Sequence, residues 1–198
     1  MDSKPSRREQ SHQRIVDAAA RAVRRVGYDG VGVAAIMKEA GLTHGGFYAH
    51  FDSREALLAE AVRAAGQAGA ERLRARLEQG RAHGLSPLRV LLEGYLSEDH
   101  LRGTEQGCVV AALCSEMPRQ AGPVQDASRE RVQALVERVR DCLPERSRAE
   151  APWVAASMVG SLQLARALGA EPGAALLRQT REQLLQRFDA SGLAKQGG

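Results

Sequence analysis

Residues 36–58, IMKEAGLTHGGFYAHFDSREALL, impose two short helices joined by a tight turn, with a third, capped helix directly after them. Ile36, Met37 and Ala40 recur at helical spacing and give the first helix one apolar face. Gly41 follows where a helix ends in a left-handed residue, a conformation that costs glycine little. Leu42 fills the space under the turn, and Thr43 is a good N-cap for the next helix. That second helix is very short, with His44, Gly45, Gly46, Tyr48 and His50 around one inward-facing Phe47. Asp52-Ser53 ends it and caps the helix whose first turn holds Arg54. A helix, a glycine turn and a second helix followed by phosphate-seeking side chains is the layout of a major-groove DNA reader, expected here over about 32–51.

The remaining sequence reads as helix throughout, in a chain of 198 residues crowded with Ala, Leu, Arg, Glu and Gln. The periodicity predicts an all-α fold of about nine helices with no convincing strand. A first helix runs from about Arg8 to Val26, with Ile15, Ala18, Ala19, Ala22 and Val26 as its buried stripe. A long helix runs from Ser53 to about Gln79, with Leu57, Leu58, Ala61, Val62, Ala65, Leu73 and Leu77 on one face. Further helices are expected at about 86–100, 107–117, 123–142, 148–168 and 173–189. The division expected is a DNA-binding domain over 9–69 and a larger domain over 70–198.

A net charge of +4 and a pI near 9.3 permit a nucleic-acid partner without requiring one. The polar start, with Lys4, Arg7 and Arg8, reads as a disordered basic arm that either tethers DNA or is simply solvated. It has no apolar core of a signal peptide, and no apolar run in the chain is long enough to span a membrane; a cytoplasmic location is expected. Three cysteines without a CxxC or CxxH pattern make neither a disulfide framework nor a zinc site. No nucleophile–base–orienter set and no phosphate-cradling loop is present, so no catalytic residue, cofactor or metal is assigned.

The run G-L-T-H-G-G-F-Y-A-H-F-D-S-R-E-A-L-L at 41–58 resembles the Tet repressor (TetR/AcrR) family of transcriptional regulators, and the resemblance is strongest over 9–69. It implies an all-helical homodimer that binds a palindromic operator on double-stranded DNA through its N-terminal domain. Its larger domain would dimerise and bind a small-molecule effector, whose arrival usually relieves repression. Tyr48 is similar to the family tyrosine whose hydroxyl bonds a DNA phosphate; the plainer alternative is an aromatic prop for the helix. His50 and Arg54 are expected to donate to phosphates, His50 gaining charge in that field, and Thr43 and His44 to lead the recognition helix to the bases. Gly45 and Gly46 each cost a helix about 1 kcal/mol relative to Ala, which suits a backbone that must approach DNA closely. The family often carries Thr at the start of the first motif helix; Gly32-Val33 stands here, leaving only backbone N–H groups at Val33 for a phosphate.

In the subgroup that includes the N-ethylmaleimide reductase repressor, a cysteine opening the helix after residue 106 senses electrophiles or oxidants. Cys108 holds that place, where a helix N-terminus favours a thiolate, with packing beneath the preceding loop as its alternative. The dimer interface is expected from the small-residue face of the 148–168 helix (Ala156, Gly160) and the apolar face of the last helix (Leu177, Leu184, Phe188). Two other classes stand beside the ligand-released repressor: an effector-independent architectural DNA-binding protein, and a small all-α enzyme.

Overall fold

The computed structural model describes residues 5–189; Lys4 of the basic arm lies outside them. Among the described residues there are nine α-helices, four short 3-10 helices and no strand. The chain divides into two compact units. One comprises the chain up to Ala68 together with Glu105–Arg131, and the other comprises Gly69–Thr104 together with the chain from Val132 onward. The expected boundary near residue 69 is therefore the first of several crossings, because 105–131 returns to the N-terminal unit.

In the first unit, α1 (Arg7–Val26) starts at a reciprocal cap. Ser6 Oγ accepts from the Glu9 N–H at 3.2 Å, and Glu9 Oε2 accepts from the Ser6 N–H at 2.6 Å. Arg7 and Arg8 thus belong to a helix and not to an arm. Ile15, Ala18, Ala19 and Ala22 are buried as the period requires, whereas Val26 is exposed at the helix end. The connection 28–32 hides a core residue: Tyr28 is fully buried, with its hydroxyl 3.2 Å from Ser128 Oγ. Its N–H donates to Glu116 Oε2 at 2.9 Å.

Next, α2 (Val33–Glu39) packs on α1 and ends in the predicted glycine turn. Gly41 has φ 70, and the N–H groups of Gly41 and Leu42 donate to the carbonyls of Lys38 and Met37. A 3-10 helix, His44–Ala49, follows, with Phe47 buried beneath it and stacked near Phe51. Ser53 Oγ then accepts from the Ala56 N–H at 3.0 Å and opens α3 (Arg54–Ala82) as predicted. Leu57, Leu58, Ala61, Val62 and Ala65 fill the core, but Leu73 and Leu77, farther along the same stripe, are only half-buried. The segment that rejoins this unit contains α6 (Val109–Leu113), shorter than predicted, and the first half of α7 (Gly122–Cys142).

In the second unit, the predicted 86–100 helix is two: α4 (Pro87–Tyr95) and α5 (Glu98–Arg102). The break falls where Ser97 caps α5 by accepting from the His100 N–H at 3.2 Å. α8 (Ala151–Leu168) and α9 (Ala170–Phe188) form a hairpin through Gly169, φ 82. The two helices touch closely at Gly173, where an added Cβ would fall 2.3 Å from the Ala165 carbonyl oxygen. No helix among the described residues is long and apolar enough to cross a membrane.

Candidate nucleic-acid interface

One side of the first unit presents the short 3-10 helix, held from below by Phe47, with the other residues of that helix exposed or half-buried. Thr43, His44 and Gly45 are exposed, and Gly46 is half-buried. Thr43 heads the helix without a side-chain cap bond, contrary to the cap expected of it, so its hydroxyl remains available. Tyr48 is 76% exposed, with its ring edge-on to Phe47 at 5.2 Å, so most of its surface faces outward. A Cβ at Gly45 would meet no atom of the chain, and one at Gly46 would find only ordinary contacts with Met37 and Thr43 at 3.7 and 3.9 Å. The fold itself therefore does not need either glycine. At the start of α2, the carbonyl of Gly32 receives the N–H groups of Ala35 and Ile36, and Gly32 offers no side-chain cap to Val33.

Two expected phosphate ligands are differently employed. Arg54 is turned inward: Nε donates to the Val31 carbonyl at 3.2 Å and Nη2 donates to the Tyr28 carbonyl. These bonds tie the start of α3 to the α1–α2 connection, which makes Arg54 a positioning residue. His50 has a buried Nδ1 without a hydrogen-bond partner, and its ring lies 5.9 Å from that of His12. Burial lowers its pKa, and the charges of His12 and Arg8 lower it further, so its surroundings favour the neutral ring and oppose the expected gain of charge. Arg8 Nη2 donates to the Ala49 carbonyl at 2.9 Å, at the end of the same 3-10 helix.

The returning segment is tied to the elements that flank the motif. Arg25 Nη1 donates to Glu105 Oε1 at 3.0 Å, and the buried Arg24 donates to the Gly107 carbonyl at 3.3 Å. With Glu116 and Ser128 on Tyr28 and Glu130 on Arg63 (2.9 Å), five links join 105–131 to α1, the α1–α2 connection and α3. Neither Tyr28 nor Glu116 announces itself in sequence, since their separation is 88 residues.

Cys108 is half-buried and is the residue that caps α6 at its N-terminus, one position after the Gly107 carbonyl held by Arg24. Cys142 is buried in the second unit, and burial, reinforced by Asp141, pushes its thiol up to about 11. Of the residues expected at a dimer interface, Leu177, Leu184 and Phe188 are 1%, 2% and 4% exposed: they are core of their own unit and unavailable to a partner. Ala156 is exposed, and a Cβ on Gly160 would meet open space. They share an outward stripe of α8 with Trp153, Leu164 and Leu168, at 46%, 61% and 55% exposure. No group of three metal-ligating side chains occurs among the described residues.

Residues 15–61 match the profile of the family described as bacterial regulatory proteins, tetR family. No curated protein sequence matches the chain. Among solved structures, the reduced form of E. coli NemR is 19% identical, with a TM-score of 0.70 over 87% of this chain and 95% of that one. A TetR-family transcriptional regulator from Agrobacterium tumefaciens is 24% identical, with a TM-score of 0.72 over 91% and 98%. A TetR transcriptional regulator from Chloroflexus aurantiacus is 22% identical, with 0.71 over 90% and 94%. At such identities the likeness speaks for the fold, and the profile match speaks for the N-terminal domain. Residues 15–61 thus match the tetR-family domain, and the chain as a whole shares the fold of those solved regulators.

Proposed function

We propose that the protein is a homodimeric transcriptional repressor, released from a palindromic operator by a signal received in its second unit or at Cys108. The observation that carries the DNA contact is the exposure of Tyr48 on a helix whose neighbouring glycines the fold does not require. In this reading Thr43 and His44 enter the major groove, and Gly45 and Gly46 let the backbone come close to the sugar-phosphate wall. Tyr48 donates its hydroxyl to one phosphate, and the N–H of Val33 meets another. Two reading heads in one dimer would address successive grooves of a two-fold site. The outward stripe of α8 around Gly160 supports pairing of two chains there. Coupling would run along α3, whose first turns belong to the first unit and whose last turns belong to the second. The signal would shift the dimer population toward a head spacing that no longer fits DNA.

One observation favours an electrophile as signal: Cys108 opens a helix that belongs to the same unit as the reading head and is joined to α1 through Gly107 and Arg24. The test of the whole reading is Tyr48→Phe against the protein's own promoter. Loss of a hydrogen bond to a charged group should weaken specific and non-specific binding together by roughly tenfold. The salt slope should not change, because a neutral hydroxyl releases no counterion. Equal operator affinity of wild type and variant would remove Tyr48 from the interface.

A further inference from the structure

We propose that a groove in the second unit, between the last turns of α3, the start of α4 and the end of α7, binds an amphipathic anion: an apolar chain ending in a carboxylate. The cavity is about 470 Å³, within the range of small-molecule sites. Its floor is Leu73 and Leu77 of α3, Val90 of α4 and Cys142 of α7. The α3 stripe that is closed over at Leu57 through Ala65 stays half-open at Leu73 and Leu77, so apolar surface faces the groove. Leu85 beside it is 40% exposed. The upward shift of the Cys142 thiol marks that wall as poorly solvated, which suits a hydrocarbon and disfavours a fully polar ligand.

The charge on the rim selects the sign of the other end. Arg74, Arg81 and Arg138 line the groove against the single carboxylate of Asp141. Arg21, Arg25, Arg102 and Arg178 each sit on a carboxylate. No carboxylate among the described residues pairs with Arg74 or Arg81. Seven positions apart on one helix, they stand on the same face about 10 Å from each other, edging the apolar strip of Leu73 and Leu77. A neutral hydrocarbon would leave these guanidinium groups without a role, and a bare anion would leave the floor unused. Only a molecule with both parts matches the lining.

The inference rests on the reading of the second unit as the effector-binding part. It is tested by calorimetric titration of the full-length protein with decanoate, with decyltrimethylammonium as the chain of opposite charge, and with acetate as the head alone. Decanoate should bind at least tenfold more tightly than either control. The double variant R74E/R81E changes two exposed side chains and should keep the wild-type melting profile while losing decanoate affinity by at least tenfold. Leu77→Trp, which fills the groove without touching its charge, should also block binding. Equal binding of the cation and decanoate, or unchanged decanoate binding by R74E/R81E, would overturn the assignment. Operator binding without decanoate is measured separately: its failure would sink the repressor reading, whereas absence of decanoate binding by an operator-binding protein would sink the groove alone.

Discussion

Mild acid should weaken the second unit through one histidine. Nδ1 of His100 lies 2.8 Å from the Tyr95 carbonyl, which only accepts, so Nδ1 carries the hydrogen and Nε2 is the nitrogen left to titrate. Burial lowers the pKa of His100 from 6.5 to about 4; Arg166 of α8 and Arg72 and Arg76 of α3 push the same way, against the Tyr95 bond, which favours the proton. The folded value lies below the unfolded one, so the unfolded chain takes the proton first as pH falls. Stability is therefore complete above pH about 6.5, declines between there and about 4, and levels off below. The full span amounts to about 3 kcal/mol at about 1.4 kcal/mol for each pH unit, and about 2 kcal/mol is lost by pH 5.

That loss is a large share of the roughly 5–15 kcal/mol that holds an ordinary domain together. His100→Asn keeps a donor for the Tyr95 carbonyl and removes the titration. Urea unfolding at pH 7 and pH 5, for wild type and variant, isolates the histidine from carboxylates that also titrate in this window. The wild type should lose about 2 kcal/mol more than the variant over that interval. If both proteins lose the same amount, His100 is not kept neutral by its surroundings and the account of its burial fails.

Three further perturbations separate the roles assigned above. Arg54→Ala strands the carbonyls of Tyr28 and Val31, so urea unfolding should show a loss of about 1–3 kcal/mol; wild-type stability with reduced operator affinity would instead return Arg54 to the phosphates. Gly160→Leu places its side chain in open space, so melting should be unchanged while sedimentation shows monomers; an intact dimer would put the interface elsewhere than the α8 stripe. At neutral pH, iodoacetamide should label Cys108 well before Cys142, whose thiol is about four pH units from ionising, with the adducts placed by mass spectrometry. Operator release that persists in Cys108→Ser would make that cysteine structural.

Features set by neighbours a few residues away were legible in the sequence. The glycine turn at Gly41, the Ser53 cap and the α1 stripe each depend on a local pattern, and all three stand as read except for Val26, the exposed last member of the stripe. Features set across long separations were not. Tyr28 lies in what reads as a glycine-rich connection because its partners, Ser128 and Glu116, are 100 and 88 residues away. Arg54 looked like a phosphate ligand because first-turn position is visible in sequence, whereas the two carbonyls waiting behind it are not. Likewise, the expected helix 107–117 shortens to Val109–Leu113, with a separate 3-10 turn at Met117–Arg119 where Pro118 lacks an N–H to continue the ladder.

The last pair of helices shows the limit of periodicity most clearly. An apolar stripe states that a face is covered, but not whether the cover comes from the same chain or from another. On α9 the stripe Leu177, Leu184 and Phe188 is closed by its own unit, with the polar side turned out. On α8 the small residues divide between two faces: Ala155 and Ala165 pack inward, while Ala156 and Gly160 look outward among Trp153, Leu164 and Leu168. A helix rotates about 100° per residue, so neighbours such as Ala155 and Ala156 are necessarily parted once one face is fixed. The inward face is fixed by Gly173, whose missing side chain lets α9 sit against the Ala165 carbonyl. What remains outward is an apolar strip with a hollow at Gly160, the kind of surface that supports the proposed pairing. In the proposed dimer, the interface expected from sequence would contract to the half carried by α8, with a second copy of the same strip as its cover.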